Sequence, residues 1–379
     1  MLLSQDQEMV RDAVRAYARE QLWPNAGRWD KEHHFPQQAH RGLAELGAYG
    51  ICVPEQYGGA NLDYLTLALV LEEIAAGDGG TSTAISVTNC PVNAILMAYG
   101  NDAQKRDWLT PLAQGRMLGA FALTEPHVGS DASALRTTAR RDKDGYVLNG
   151  VKQFITSGKN GQVVVVIAVT DKGAGKKGMS AFLVPTDAPG YQVVRLEDKL
   201  GQRSSDTAQI NLDNCRIAFD NLIGVEGQGY RIALGGLEGG RIGIAAQSVG
   251  MARSAFEVAL DYAKQRESFG QSIFSHQAVG FRLAECATRI EAARQLIWHA
   301  ASLRDAGRPC LKEAAMAKLF ASEMAEQVCS AAIQTLGGYG YVEDFPVERI
   351  YRDVRVCQIY EGTSDVQKIL IQRALAQDG

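Results

Sequence analysis

The sequence is poor in the features that hold small, metal-bound or membrane proteins together. Its seven cysteines (Cys52, Cys90, Cys215, Cys286, Cys310, Cys329, Cys357) are scattered, with no CxxC pair, and its six histidines form no HExxH. That excludes a disulfide framework and the common zinc signatures, so no metal is expected. No apolar run reaches the length of a membrane span; the longest, Val163 to Val169, is strand-sized. There is no basic excess either. The net charge is −4, which argues against a nucleic-acid partner. There are only ten prolines, no internal repeat and no low-complexity segment. From residue 6 onward the N-terminus mixes acids with bases, unlike a signal or transit peptide. The cytoplasm is the expected compartment.

What is present is ordinary globular material: 379 residues, 46% apolar and 22% charged, enough for two or three subdomains. Residues 1–117 read as helical. Ser4 and Gln7 can form a capping box, Val10, Val14 and Tyr17 repeat at helical spacing until Trp23-Pro24 interrupts, and Leu65 to Ala75 reads as a buried helix. Residues 118–226 change period. Asn149-Gly150 between β-favouring runs signals a hairpin. Strands are expected at Val163–Val169, Ala181–Val184, Tyr191–Leu196 and Ala208–Leu212. With no helices between them, they suggest an antiparallel, barrel-like domain. Residues 227–379 are helical again: Val279, Leu283, Cys286, Ile290 and Ile297 form one stripe, and Arg241 to Lys264 and Leu311 to Leu336 read similarly.

Three clusters could carry chemistry. Phe121 to Asp131 (FALTEPHVGSD) gathers backbone amides and hydroxyls suited to an anion or a polar ring edge, or is simply an interdomain turn. Gln334 to Tyr341 (QTLGGYGY) lets backbone approach a pyrophosphate, or is a helix C-cap; no strand precedes it, so it is not a Rossmann fingerprint. Glu361, after Ile359 and Tyr360 and before Gly362-Thr-Ser, could be a desolvated base or an acid stabilised by a helix dipole.

Together the clusters resemble the acyl-CoA dehydrogenase family, over essentially the full chain. One family signature is Ala122 to Asp131; the other runs from Gln334 through Gly337, Gly338 and Gly340 to Asp344, Arg349 and Asp353, with Glu361-Gly-Thr following. The short-chain and short-branched-chain members look closest, on Leu237 to Ala245 and Ser86 to Cys90. The resemblance implies an N-terminal helical domain, a central antiparallel β-barrel-like domain and a C-terminal four-helix bundle, with FAD in a cleft shared with a neighbouring subunit.

By the same match, Phe121, Ala122, Leu123, Thr124, Gly129 and Ser130 line the flavin, and Phe154, Ile155 and Thr156 pack on its ring; many relatives have Trp where Phe154 stands. Arg266, Phe269 and Gln277 are matched to contacts with the FAD of the partner subunit, Gln334, Gly337 and Gly338 to its ADP portion, and Thr363, Ser364 and Asp365 to closure of the site. Ser130, Glu238, Arg241 and Gly362 are matched to the substrate. Glu361 is matched to the base that removes the Cα proton while the β-hydrogen leaves as hydride for the flavin. A minority of relatives carry the base just before the arginine matched by Arg241; here that position is Gly240. The resemblance further implies electron-transfer flavoprotein as acceptor, a homotetramer built as a dimer of dimers, and a place in fatty acid or branched-chain amino acid breakdown. Butyryl-, isobutyryl- and 2-methylbutyryl-CoA are the first substrates to expect. The rival readings are an oxidase or another same-fold flavoenzyme, and a non-catalytic acyl-CoA-binding module.

Overall fold

The computed structural model describes residues 2–377. Its elements follow the order helices, strands, helices. The first helix, α1 (Gln5–Tyr17), opens on the Ser4–Gln7 capping box read from the sequence. Trp23-Pro24 does not interrupt it. A single π-turn over Ala18–Leu22 carries the chain into the helix Trp23–Glu32, where Pro24 lies in the first turn and needs no amide partner. Helix α2 (Tyr64–Gly77) is buried on nearly every side, as its apolar composition requires.

The middle segment forms one eight-stranded sheet: β1 (Gly119–Ala122), β2 (Thr138–Arg141), β3 (Gly145–Thr156), β4 (Val163–Val169), β5 (Met179–Pro185), β6 (Tyr191–Leu196), β7 (Thr207–Ala218) and β8 (Leu222–Ile223). The order is β6-β7-β3-β2-β4-β5-β8, with β1 added on β4. Two expectations are corrected. The sheet is mixed, because β1 and β2 both meet β4 in parallel, and it is open between β6 and β8 and closes no barrel. Asn149-Gly150 makes no hairpin turn; it lies inside the continuous strand β3, where the register with β7 shifts. Gly150 is needed because Thr137 occupies the place of any Cβ there. The turn falls earlier, where Asp142 N–H donates to the Gly145 carbonyl. Strand β4 is buried on both faces: Val163, Val165 and Ile167 pack toward the N-terminal helices, and Val164, Val166 and Ala168 toward β3, β5 and β7.

The C-terminal segment is led by α3 (Gly229–Gln265), a continuous helix of 37 residues, followed by α4 (Gln277–Asp305), α5 (Leu311–Leu336), α6 (Val347–Val354) and α7 (Ser364–Leu375). The stripe Leu283, Cys286, Ile290 and Ile297 is buried as read, with Val279 at its edge. The first and last segments share one apolar cluster, which runs from Val14 and Leu71 through Ile244 and Val249 to Val328 and Val354.

A buried charge network ties these helices. Glu72 and Glu73 of α2 are 5% and 2% exposed. Arg253 of α3 and Arg15 of α1 meet Glu73 at 2.6 and 2.7 Å, and Arg294 of α4 meets Glu72 at 2.8 Å. Removing one cation from such a set leaves two buried carboxylates with one guanidinium fewer to share. Arg253→Met is therefore expected to cost about 3 kcal/mol of unfolding free energy, measured by urea denaturation; a loss within experimental error of zero would refute the network's structural role.

Candidate active site

Glu361 lies in the turn between Gln358 and α7, and its backbone is left-handed at φ 51, followed by Gly362 at φ 93. A left-handed non-glycine residue costs of order 1–3 kcal/mol and persists only where its surroundings hold it. Here the Gly362 carbonyl accepts from Lys318 Nζ at 2.7 Å and from Gln367 Nε2 at 2.8 Å. Thr363 then caps α7 by accepting from Val366 N–H at 3.3 Å. The turn aims the carboxylate at α3. The space that a Cβ at Gly240 would need is occupied by Glu361 Oε2.

That oxygen is enclosed and has no hydrogen-bond partner in the chain, although the residue as a whole keeps some exposed surface. The enclosure pushes the Glu361 carboxyl up to about 8, with Arg241 and Lys318 pulling the other way. Arg241 is 5% exposed, its Nε and Nη1 lack partners, and burial lowers its proton affinity. Glu238 points elsewhere. Its Oε1 lies 3.3 Å from Arg304 and accepts the Cys310 thiol at 3.4 Å, so its carboxylate is already engaged.

The two segments matched to the flavin are joined: Gln153 N–H donates to the Thr124 carbonyl at 2.9 Å. Beneath them lies a pair the sequence reading passed over. Lys152, fully buried, donates to the Leu123 carbonyl at 3.0 Å and to Glu125 Oε1 at 2.9 Å. Burial brings Lys152 down to about 8 despite Glu125. Burial would raise the Glu125 carboxyl, but Lys152 and the amides of Arg136 and Thr137 outweigh it and hold it low. The acid inside the first motif thus braces the loop. Lys152 was readable only as one polar residue in a strand. Phe154 stands at φ 59 and is 62% exposed, an unusual aromatic placement that leaves it open to a ligand. Ala122 and Ile155 turn into the sheet's core, so only their backbones can face a cofactor. Gly129 and Ser130 are exposed.

Other matched residues lie apart. Arg266 ends α3, about 38 Å along the helix from Arg241; Phe269 (94% exposed) lies in the hairpin that follows, and Gln277 opens α4. Gln334 lines a surface cavity of about 640 Å³ together with Arg282, Gln327 and Gln358. Gly337, left-handed after α5, and Gly338 border open space. Ser364 Oγ is buried without a partner, and Asp365 is exposed. Among the described residues no cluster could hold a metal ion, and no helix is long and apolar enough to cross a membrane.

Models of the N-terminal, middle and C-terminal domains of acyl-CoA dehydrogenases match residues 4–116, 120–215 and 227–376. The chain belongs to the acyl-CoA dehydrogenase family. The mitochondrial short-chain specific acyl-CoA dehydrogenase of Rattus norvegicus is 45% identical, over 97% of this chain and 90% of its own. Butyryl-CoA dehydrogenase from Megasphaera elsdenii superposes with a TM-score of 0.97 at 38% identity, over 99% of both chains. A chain solved in work on the electron transferring flavoprotein of Acidaminococcus fermentans superposes with a TM-score of 0.98 at 44% identity, over 100% of both. As an acyl-CoA dehydrogenase the protein is an oxidoreductase whose cofactor is FAD. The exposed Phe154, the joined loops around Thr124 and the unpartnered Ser364 hydroxyl fit such a group.

Two outcomes follow. For a reaction in which Glu361 must take up a proton, kcat/KM is expected to rise with pH along an acid limb with its midpoint near 8, the point at which Glu361 loses its proton; a limb centred in the ordinary carboxylate range would contradict the enclosure. Gly240→Ala is expected to displace Glu361 Oε2 and lower kcat about a hundredfold with FAD retained. Steady-state kinetics alongside the flavin absorbance spectrum checks this.

Proposed function

We propose that the protein converts a short straight or branched acyl-CoA to its trans-2-enoyl-CoA, with Glu361 as the base. One observation carries the reading: an enclosed, unpartnered carboxylate oxygen, aimed by a strained turn at a helix opened by Gly240. Such a group has high proton affinity and nothing in the chain to spend it on, as a base for a weakly acidic Cα–H requires. The Glu361 backbone N–H is the chain's own donor to the thioester oxygen, which must be polarised before the Cα proton can leave. Bound FAD supplies the hydride acceptor. Phe154 and the loop from Phe121 to Ser130 hold its ring against the substrate, Lys152 and Glu125 keep that loop rigid, and closure over the substrate excludes water.

Arg266, Phe269, Gln277 and the Gln334–Gly338 turn serve the FAD of a partner subunit. The separation of Arg266 from Arg241 along α3 and the exposure of Phe269, Gln334, Gly337 and Gly338 support a shared site, and with it a dimer of dimers. The short acyl group rests on the likeness to a short-chain specific enzyme and to a butyryl-CoA dehydrogenase. Electron-transfer flavoprotein as acceptor draws support from the Acidaminococcus fermentans chain. Seven unpaired thiols suit a reducing cytoplasm. The pathway that fits is fatty acid or branched-chain amino acid breakdown.

The deciding experiment mixes the holoenzyme anaerobically with short straight and branched acyl-CoAs and follows the flavin band. Bleaching by one or two of them is expected. Glu361→Gln should keep its colour and its ligand binding while turnover falls about a thousandfold or more. A flavin that no acyl-CoA reduces, or a Gln variant that still turns over, would overturn the reading.

A further inference from the structure

Lys318, on α5, belongs to neither family signature, yet it is fully buried beside the base. A buried ammonium ordinarily needs a carboxylate partner. Among the described residues Lys318 has none within ion-pairing distance, and its Nζ donates to the carbonyl of Gly362 at 2.7 Å. That carbonyl belongs to the second of the two left-handed residues that set the direction of Glu361. The lysine therefore anchors the strained turn together with Gln367, whose amide reaches the same oxygen.

The charges around the carboxylate are few. Arg241 faces Glu361 from α3, Lys318 from α5, and the neutral Cys90 thiol from the N-terminal segment. Lys318 itself faces Cys357, Arg241 and Glu323. Glu323 is half-exposed and pairs with Lys368 at 3.8 Å, so solvent screens it. Two buried cations thus flank one carboxylate that hydrogen-bonds to neither, a local surplus of positive charge. Burial lowers Lys318 to about 8 and raises Glu361 to about the same value, and each opposes the shift of the other.

We propose that Lys318 is a positioning residue for the base: its ammonium anchors the Gly362 carbonyl, so fixing the turn that aims Glu361 at Gly240, and its unpaired charge favours the carboxylate over the neutral acid at Glu361. The two roles separate chemically. Methionine fills the same channel with neither donor nor charge, and glutamine keeps an N–H for the Gly362 carbonyl but carries no charge. Both remove an uncompensated buried cation, so both should fold.

The test compares holoenzyme Lys318→Met and Lys318→Gln with the parent on two readouts. The first is the acid limb of kcat/KM against pH. The second is the infrared band of the protonated Glu361 carboxyl, assigned by its absence in Glu361→Gln, whose pH dependence requires no turnover. In both variants limb and band should move to higher pH by about one unit, roughly a tenfold loss of activity at neutral pH, with flavin content and melting temperature close to the parent's. At saturating pH the glutamine variant should recover most of kcat and the methionine variant should not. If limb and band stay in place in both variants, or if methionine matches the parent at every pH, the proposal is overturned. It rests on Glu361 being the base, but the infrared titration stands apart from that assignment: an active Glu361→Gln would sink the proposed function and leave the effect of Lys318 on the carboxyl still measured.

Discussion

The Glu361 carboxylate is kept partly dehydrated because backbone, rather than a side chain, forms its wall on α3. Gly240 provides that wall. With no Cβ there, α3 leaves a notch into which Glu361 Oε2 fits. The left-handed turn at Glu361, the double anchoring of the Gly362 carbonyl and the capping of α7 by Thr363 all place the oxygen in that notch. The notch also explains why one family position for the base is glycine here: the residue at 240 and the carboxylate from 361 compete for one volume.

From Tyr360, the neighbour of Glu361, a buried chain of hydrogen bonds leads to the other segments. Tyr360 donates to Gln247 Oε1 at 3.0 Å, and Gln247 reaches the Gly79 carbonyl at 2.8 Å. Thr83 donates to Gln202 at 2.7 Å, and the Gln202 side chain donates to the Asp353 carbonyl at 3.1 Å. Asp353 pairs with Arg349 at 3.2 Å, and burial lifts its carboxyl to about 7. The second family signature, read from sequence as a cofactor motif, therefore ends in residues that join the N-terminal helices, the sheet and the C-terminal helices behind the active site. Networks of this kind are rigid when every member is satisfied.

The fold order, the stripe on α4 and the capping box at Ser4 were legible because each depends on local periodicity or on a motif. The misreadings share a physical cause. Asn149-Gly150 satisfies the local rule for a turn, but Thr137 packs where a side chain would be and β7 pairs on both sides of the glycine, so tertiary pairing decides. Trp23-Pro24 satisfies the local rule for a helix end, yet a π-turn absorbs the proline. Parallel contacts of β1 and β2 with β4 leave no trace in period-two patterning. The contacts of Glu238 with Arg304 and Cys310 likewise leave no local pattern. Lys152 and Lys318 are invisible for a related reason: in sequence a lysine reads as solvated, and only the fold shows that these two are enclosed.

The apolar cluster shared by the first and last segments has a consequence for how the molecule is made. Leu71 and Ile74 leave the ribosome long before Ile244, Val249 and Val328, the residues that finally cover them. A nascent chain that has completed only its helices and sheet thus presents an open half-core to its surroundings. Burial of that surface waits on contacts of large sequence separation, the class that forms slowly and exposes a chain to aggregation. The last helices to be synthesised are thus both a wall of the active site and the lid that ends the vulnerable stage of folding.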